Sequence, residues 1–140
     1  MSKVAIVFWS ATGNTETMAN CIAEGAGANG IIVPCAEMTP AKLAEFDVVA
    51  FGCPAMGAEQ LEESEFEPMF AALEGSLNGK KIALFGSYGW GDGQWMRDWA
   101  QRAQDDGAQL FSEEGLICNE TPDDDVQDAC RKLGADLAAW

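Results

Sequence analysis

Three short stretches of this chain carry residue types that chemistry can use. The first, Ser10-Ala11-Thr12-Gly13-Asn14-Thr15, puts three hydroxyls, one amide and one glycine into six residues. A helix is expected to start within it. Backbone N–H groups at a helix start attract an anion, and hydroxyls add donors. The stretch holds no Lys or Arg, so it suits a small phosphate ester held by neutral donors. It is neither GxxxxGK[ST], which would cradle a triphosphate, nor GxGxxG. A plain polar turn capping a helix would use the same residues. The second stretch is Pro54-Ala55-Met56-Gly57-Ala58-Glu59. Here a thioether stands beside a residue free to take positive φ, and such a side chain can cover the face of a flat ligand. The third is Ser87-Tyr88-Gly89-Trp90-Gly91-Asp92-Gly93. A tryptophan between two glycines has little local structure to bury it, and an exposed indole is costly unless something stacks on it. One loop therefore offers anion donors and two offer faces. A phosphorylated, flat, aromatic ligand would need that combination.

The elements that must position these loops follow from hydrophobic patterning. Strands are expected at Lys3 to Trp9, Ile31 to Cys35, Asp47 to Cys53 and Lys80 to Gly86. A fifth is expected between Ala108 and Cys118, interrupted near Ser112 to Gly115. The first, third and fourth are continuous apolar runs, as in a parallel sheet covered on both faces. Pro34 cannot donate to a ladder, which puts the second strand on an edge. Helices are expected at Asn14 to Gly27, Pro40 to Glu45, Ser64 to Leu73, Asp92 to Asp106 and Pro122 to Leu137. Thr39 and Thr121 read as N-caps, each before a proline at the first helical position, and Ser64 to Glu67 reads as a capping box. Trp95 and Trp99 share one helix face and read as core. Strands alternating with helices imply an α/β domain spanning residues 1–140, with helices on both faces of a parallel sheet. The three loops follow strands one, three and four. Ligands of such sheets bind there, beyond the carboxyl ends of the strands.

Composition removes other functions. Asp plus Glu is 23 and Lys plus Arg is 8, a formal charge of −15. Nucleic acid and anionic membrane surfaces both need clustered cations and are excluded as partners. The chain has no histidine, so imidazole bases and His metal ligands are excluded. Cys21, Cys35, Cys53, Cys118 and Cys130 are odd in number and form no CxxC. They read as buried small hydrophobes in a reducing compartment, not as disulfides or a metal site. The apolar run after Met1-Ser2-Lys3 is about seven residues, too short for a signal peptide or membrane span. A cytoplasmic protein is expected, and the Asn119-Glu120-Thr121 sequon is then unused.

Taken together, the three motifs resemble the flavodoxin family, of the short-chain kind. The resemblance runs along the whole chain and is carried by Val4 to Thr15, Gly52 to Gly57 and Leu84 to Gly93. It implies a flavodoxin-like three-layer sandwich with a five-stranded parallel sheet of order 2-1-3-4-5, the order given for flavodoxin in general accounts of doubly wound folds. It implies tightly bound FMN acting as a one-electron carrier. Ser10 through Thr15 would wrap the phosphate. Met56 and Trp90 would cover the two faces of the ring, with Pro54 and Ala55 beside them. Glu59 would accept from N3–H, and the Gly57 carbonyl from N5–H after its peptide turns over. Ser87, Tyr88, Gly89 and Gly91 would serve the ring and its pyrimidine carbonyls by their backbone, and Asn119 would lie near the ribityl chain. Ala58 stands where relatives often carry a polar residue.

A carboxylate about 10 Å from a reduced, anionic flavin costs roughly 1.7 kcal/mol at an effective dielectric near 20. That is roughly 70 mV for one electron. Several such groups would drive the semiquinone/hydroquinone couple to low potential. Glu59, Glu62, Glu63, Glu65, Glu67 and Glu74 fall in one run without a basic residue. Such a run is an ordinary solvated face or a steering surface for basic-faced partners. The expected partners are redox proteins that otherwise use ferredoxin-type donors and acceptors, met by a monomer. An FMN-dependent quinone or nitro-group reductase is the alternative, but the chain has no spare length for a substrate pocket and Met56 with Trp90 would close both faces. A phosphoacceptor receiver domain is excluded, because Trp9-Ser10 and Pro54-Ala55 stand where its acidic residues would be.

Overall fold

A computed structural model of the chain describes residues 1–57 and 59–140. The strands are β1 (Val4–Phe8), β2 (Gly30–Ile32), β3 (Val48–Gly52), β4 (Lys81–Tyr88), β5 (Gln109–Leu110) and β6 (Leu116–Asn119). The helices are α1 (Asn14–Ala26), α2 (Pro40–Leu43), α3 (Phe66–Leu73), α4 (Gln94–Asp105) and α5 (Asp124–Ala139). All strand pairs are parallel, in the order β2-β1-β3-β4-β5, with β6 also on β4. This is the flavodoxin-like order expected, with the fifth strand in two pieces. β5 pairs with Lys81 and Ile82, and β6 with Phe85 through Tyr88, so residues 111–115 arch away between them.

The continuous apolar runs are explained by two cores. Ala5, Val7, Val49, Phe51, Ile82 and Leu84 face one layer, with α3 and α4. Val4, Ile6, Val48, Ala50, Ala83 and Phe85 face the other, with α1 and α5. Successive strand residues point to opposite faces, so a sheet covered on both needs every position apolar. The α3/α4 layer is aromatic: Phe66 and Phe70 each meet Trp99 edge-on, at 5.5 and 5.7 Å between ring centroids. The α1/α5 layer is close-packed through small residues. A Cβ on Gly134 would lie 1.9 Å from the Ile22 carbonyl oxygen, so only glycine permits this approach.

Several boundaries differ from expectation, three of them for a clear local reason. β2 stops at Ile32 after the Val33 N–H bonds the Ile6 carbonyl at 2.9 Å. Pro34 then ends the ladder and leads into a 3₁₀ turn, Cys35–Glu37. α5 begins two residues late because Asp123, not Thr121, caps it, its carboxylate accepting from Val126 N–H at 2.9 Å. A carboxylate beside the positive end of a helix outcompetes a hydroxyl further back. α3 begins at Phe66, and Ser64 does not cap it; the Glu62 carboxylate does. Thr39 caps α2 as expected, accepting from Lys42 N–H at 3.2 Å. All five cysteines are free, and four of them are buried. Among the described residues, no helix is long and apolar enough to cross a membrane.

Candidate functional site

The carboxyl ends of β1, β3 and β4 lie side by side, in register at Phe8, Gly52 and Phe85. Their loops close around a cavity of about 300 Å³ lined by Ser10, Ala11, Thr12, Asn14, Thr15, Pro54, Ala55, Met56, Ser87, Tyr88, Gly89 and Glu120. Ser10 and Glu120, 110 positions apart in the chain, line the same cavity because β1, β3, β4 and β6 run parallel and end on the same side of the sheet.

One end of the cavity is the start of α1. Gly13 is its N-cap, at φ 95° and ψ −7°, and has no side chain with which to cap it. The first-turn N–H groups of Asn14 and Thr15 have no acceptor within the helix. The Ser10 hydroxyl holds the loop, accepting from Gly13 N–H at 3.2 Å and Glu16 N–H at 3.3 Å. Beneath it the Thr15 and Ser87 hydroxyls pair at 3.0 Å; the residues are 1% and 5% exposed. That bond ties the helix start to β4. The lining has open N–H groups, hydroxyls and no cation, so it fits a phosphate ester.

The other end is made of two turns. Ala55 N–H donates to the Ser87 carbonyl at 3.0 Å, which sews the second loop to β4. Met56 and Gln60 then exchange two backbone hydrogen bonds of 2.9 Å, closing a turn with Gly57 at φ 47° and Glu59 at φ 59°. Gly57 is exposed at its tip. Ala58 lies outside the described residues. Trp90 is 75% exposed on the rim, between Gly89 and Gly91. Met56 lines the cavity and is half-buried, whereas Trp90 is not among the lining residues and stands exposed next to Gly89, which is one of them.

The remaining expected residues have specific places. Glu59 reaches away from the cavity: its Oε2 accepts from Trp95 N–H at 2.8 Å, at the first turn of α4. Gly91, at φ 91°, makes room for it, since a Cβ there would lie 1.9 Å from Glu59 Oε1. Asn119 Nδ2 donates to the Tyr88 carbonyl at 3.5 Å, and its neighbour Glu120 lines the cavity instead. Glu120 has φ 59° and donates its N–H to the same carbonyl at 2.7 Å. Nothing local in Asn119-Glu120-Thr121 announces that conformation. The buried Trp95 Nε1 donates to the Cys53 carbonyl at 3.1 Å, so Trp95 braces the second loop from within the core.

The surroundings are acidic. Glu59, Glu63, Glu67 and Asp98 line a depression between α3 and α4. Its one cation, Arg102, is spent on Glu67 and Glu74, at 2.7 Å each. Those two carboxylates hold the Arg102 guanidinium firmly charged. Burial, then the neighbouring Glu74, pushes Asp106 up to about 6.

A family model described as flavodoxin matches residues 6–133. A flavodoxin of Megasphaera elsdenii is 48% identical over 134 residues, covering 94% of this chain and 95% of its own. One of Clostridium beijerinckii is 46% identical over 136 residues, covering 95% and 97%. A solution structure of the two-electron reduced Megasphaera elsdenii flavodoxin superposes with a TM-score of 0.87 at 46% identity, covering 98% of this chain and 99% of that one.

Proposed function

This chain belongs to the flavodoxin family of FMN-binding electron-transfer proteins, which are not enzymes, and we propose that it works as a cytoplasmic, monomeric, low-potential one-electron carrier. The observation that carries this is the cavity at the ends of β1, β3 and β4, with neutral donors at one end, free faces at the other and no cation between. Bound FMN supplies a ring that accepts electrons one at a time. Everything else is done by the chain.

Ser10 through Thr15 would hold the phosphate, with the helix start supplying N–H groups in place of a cation. Met56 and Trp90 would exclude water from the ring faces, and an electron-rich indole would disfavour added negative charge. Gly57, exposed and at positive φ, has the backbone freedom to turn its carbonyl toward a protonated ring nitrogen. Glu59 would accept from the ring edge only after its carboxylate swings off Trp95 N–H, where it points away from the cavity. The backbone around Gly89 would meet the pyrimidine carbonyls. Asn119 and Glu120 would close the side nearest β6. The carboxylates of α3 and its preceding loop would lower the potential of the last electron and steer basic-faced redox proteins to the ring.

Anaerobic potentiometric titration of the FMN-loaded protein tests this. Two well-separated one-electron couples are expected, the lower one well below that of free FMN. Coincident couples would point to a two-electron reductase. Protein that takes up no FMN would remove the assignment of the cavity.

A further inference from the structure

The loop between β3 and α3 is fastened at both ends, and its second fastening is one buried carboxylate. Glu62 is 6% exposed. Its oxygens accept from Ser64 N–H at 2.7 Å, Glu65 N–H at 2.7 Å, Phe66 N–H at 3.0 Å and the Ser64 hydroxyl. Its own N–H donates to Cys53 Sγ at 3.4 Å, and its carbonyl accepts from Glu67 N–H at 2.8 Å. Among the described residues no Lys or Arg pairs with it. Burial pushes this carboxyl up, but the Ser64 hydroxyl and the three N–H groups outweigh burial and hold it at about 2. Glu62 is thus a charged group held by three backbone N–H groups and one hydroxyl, with its own N–H on Cys53 just after β3 and its carboxylate on the start of α3.

At the first fastening, Cys53 N–H donates to the Phe85 carbonyl at 3.1 Å and Ala55 N–H to the Ser87 carbonyl at 3.0 Å. The Met56–Gln60 turn hangs between the two. A turn that changes its backbone state needs fixed ends, or the change spreads into its neighbours and neither state keeps a defined geometry. Glu63 and Glu65 carry the same charge nearby, but both are exposed and neither carboxylate takes part in this arrangement.

We propose that Glu62 is a positioning residue for the FMN ring: its buried carboxylate clamps the far end of the Met56–Gln60 turn to α3, so that a backbone change at Gly57 stays local. The inference rests on the assignment of this turn to the flavin. Glu62→Gln and Glu63→Gln each remove one charge from the same face, which separates clamping from electrostatics. Glutamine keeps one acceptor but turns an NH₂ toward donors. In FMN-free protein, amide exchange over residues 60–66 is expected to accelerate about tenfold in E62Q and not in E63Q. In loaded protein, E62Q is expected to weaken FMN binding about tenfold more than E63Q. E62Q is also expected to change the separation of the two couples, with partial restoration in Glu62→Asp. Equal effects of E62Q and E63Q on affinity and separation would reduce Glu62 to a charge and overturn the proposal. So would faster exchange with unchanged affinity and separation, since the clamp would then be purely structural. If E62Q does not fold, Ser64→Ala removes one donor only. It should give the same pattern more weakly, and wild-type behaviour in both measurements would overturn the proposal. Wild-type protein that takes up no FMN would instead remove the premise, recognisably, because the exchange difference is measured without the cofactor.

Discussion

The two ends of the cavity are built in opposite ways. The α1 end is anchored from beneath, leaving only the N–H groups of the first helical turn open: Thr15 and Ser87 satisfy each other in the core, and the Ser10 hydroxyl accepts two N–H groups. The ring end stands on turns that protrude: Gly57 is exposed, Trp90 is 75% exposed, and Gly57, Gly91 and Gly93 all have positive φ. A phosphate presents the same charge throughout, so a rigid cradle holds it at little ordering cost. A ring that gains electrons changes its hydrogen-bonding edge, so its contacts need backbone freedom between fixed points. The comparison predicts that changes at the α1 end alter FMN affinity alone, whereas changes at the ring end alter affinity and the separation of the couples together.

The largest effect should come from the layer that carries the α1 end. Gly134→Ala drives a Cβ into the Ile22 carbonyl and pushes α1 from α5. A loss of about 3 kcal/mol is expected, read by urea denaturation, with FMN affinity falling as the helix start shifts. Thr15→Val should follow, at about 2 kcal/mol, because it leaves the buried Ser87 hydroxyl without its partner. FMN titration should show weaker binding with little change in the separation of the couples. A Thr15→Val protein as stable as wild type would break the contrast.

Stability against pH should have two limbs of opposite sign. Glu62 is held at about 2, below its ordinary 4.5, so it releases its proton more readily when folded. Its contribution is full above pH 4.5 and lost as pH falls toward 2. Asp106 is raised to about 6 from 3.8, so the folded protein holds that proton more tightly. Its contribution is present below pH 3.8 and lost as pH rises through 6. Urea midpoints between pH 2 and 8 should show both limbs, with Asp106→Asn flattening the upper one. The smallest stability effect belongs to Trp90→Ala, within about 0.5 kcal/mol, since the side chain packs on little. FMN affinity should nonetheless fall several-fold. A destabilised Trp90→Ala protein would show that the ring end is less independent of the core than its geometry indicates.

Much of this was legible beforehand. Continuous apolar runs marked β1, β3 and β4, Pro34 marked the edge, and the loops after those strands carried the residues that line the cavity. The misses are of two kinds, local and long-range. Ser64 and Thr121 were well-formed caps by sequence, yet Glu62 and Asp123 took the N–H groups, because capping is decided by which carboxylate the chain path brings near. Glu120 was passed over because its positive φ arises from the bond its N–H makes to Tyr88, a residue 32 positions away. The bond from Glu59 to Trp95 crosses 36 positions and has no local signature.

What the chain's own order of residues determined is therefore the fold class, the acidity, the lack of any imidazole chemistry, and the three loops where a phosphate and a flat ring would bind. These depend on periodicity, composition and backbone preference, which are properties of neighbours in sequence. Only the tertiary structure decided where polar groups found partners far along the chain: Thr15 on Ser87 and Glu59 on Trp95. A polar group taken out of water must be satisfied by whatever lies within about 3 Å. That neighbour is chosen by how helices and strands stack, not by what stands beside the group in the chain.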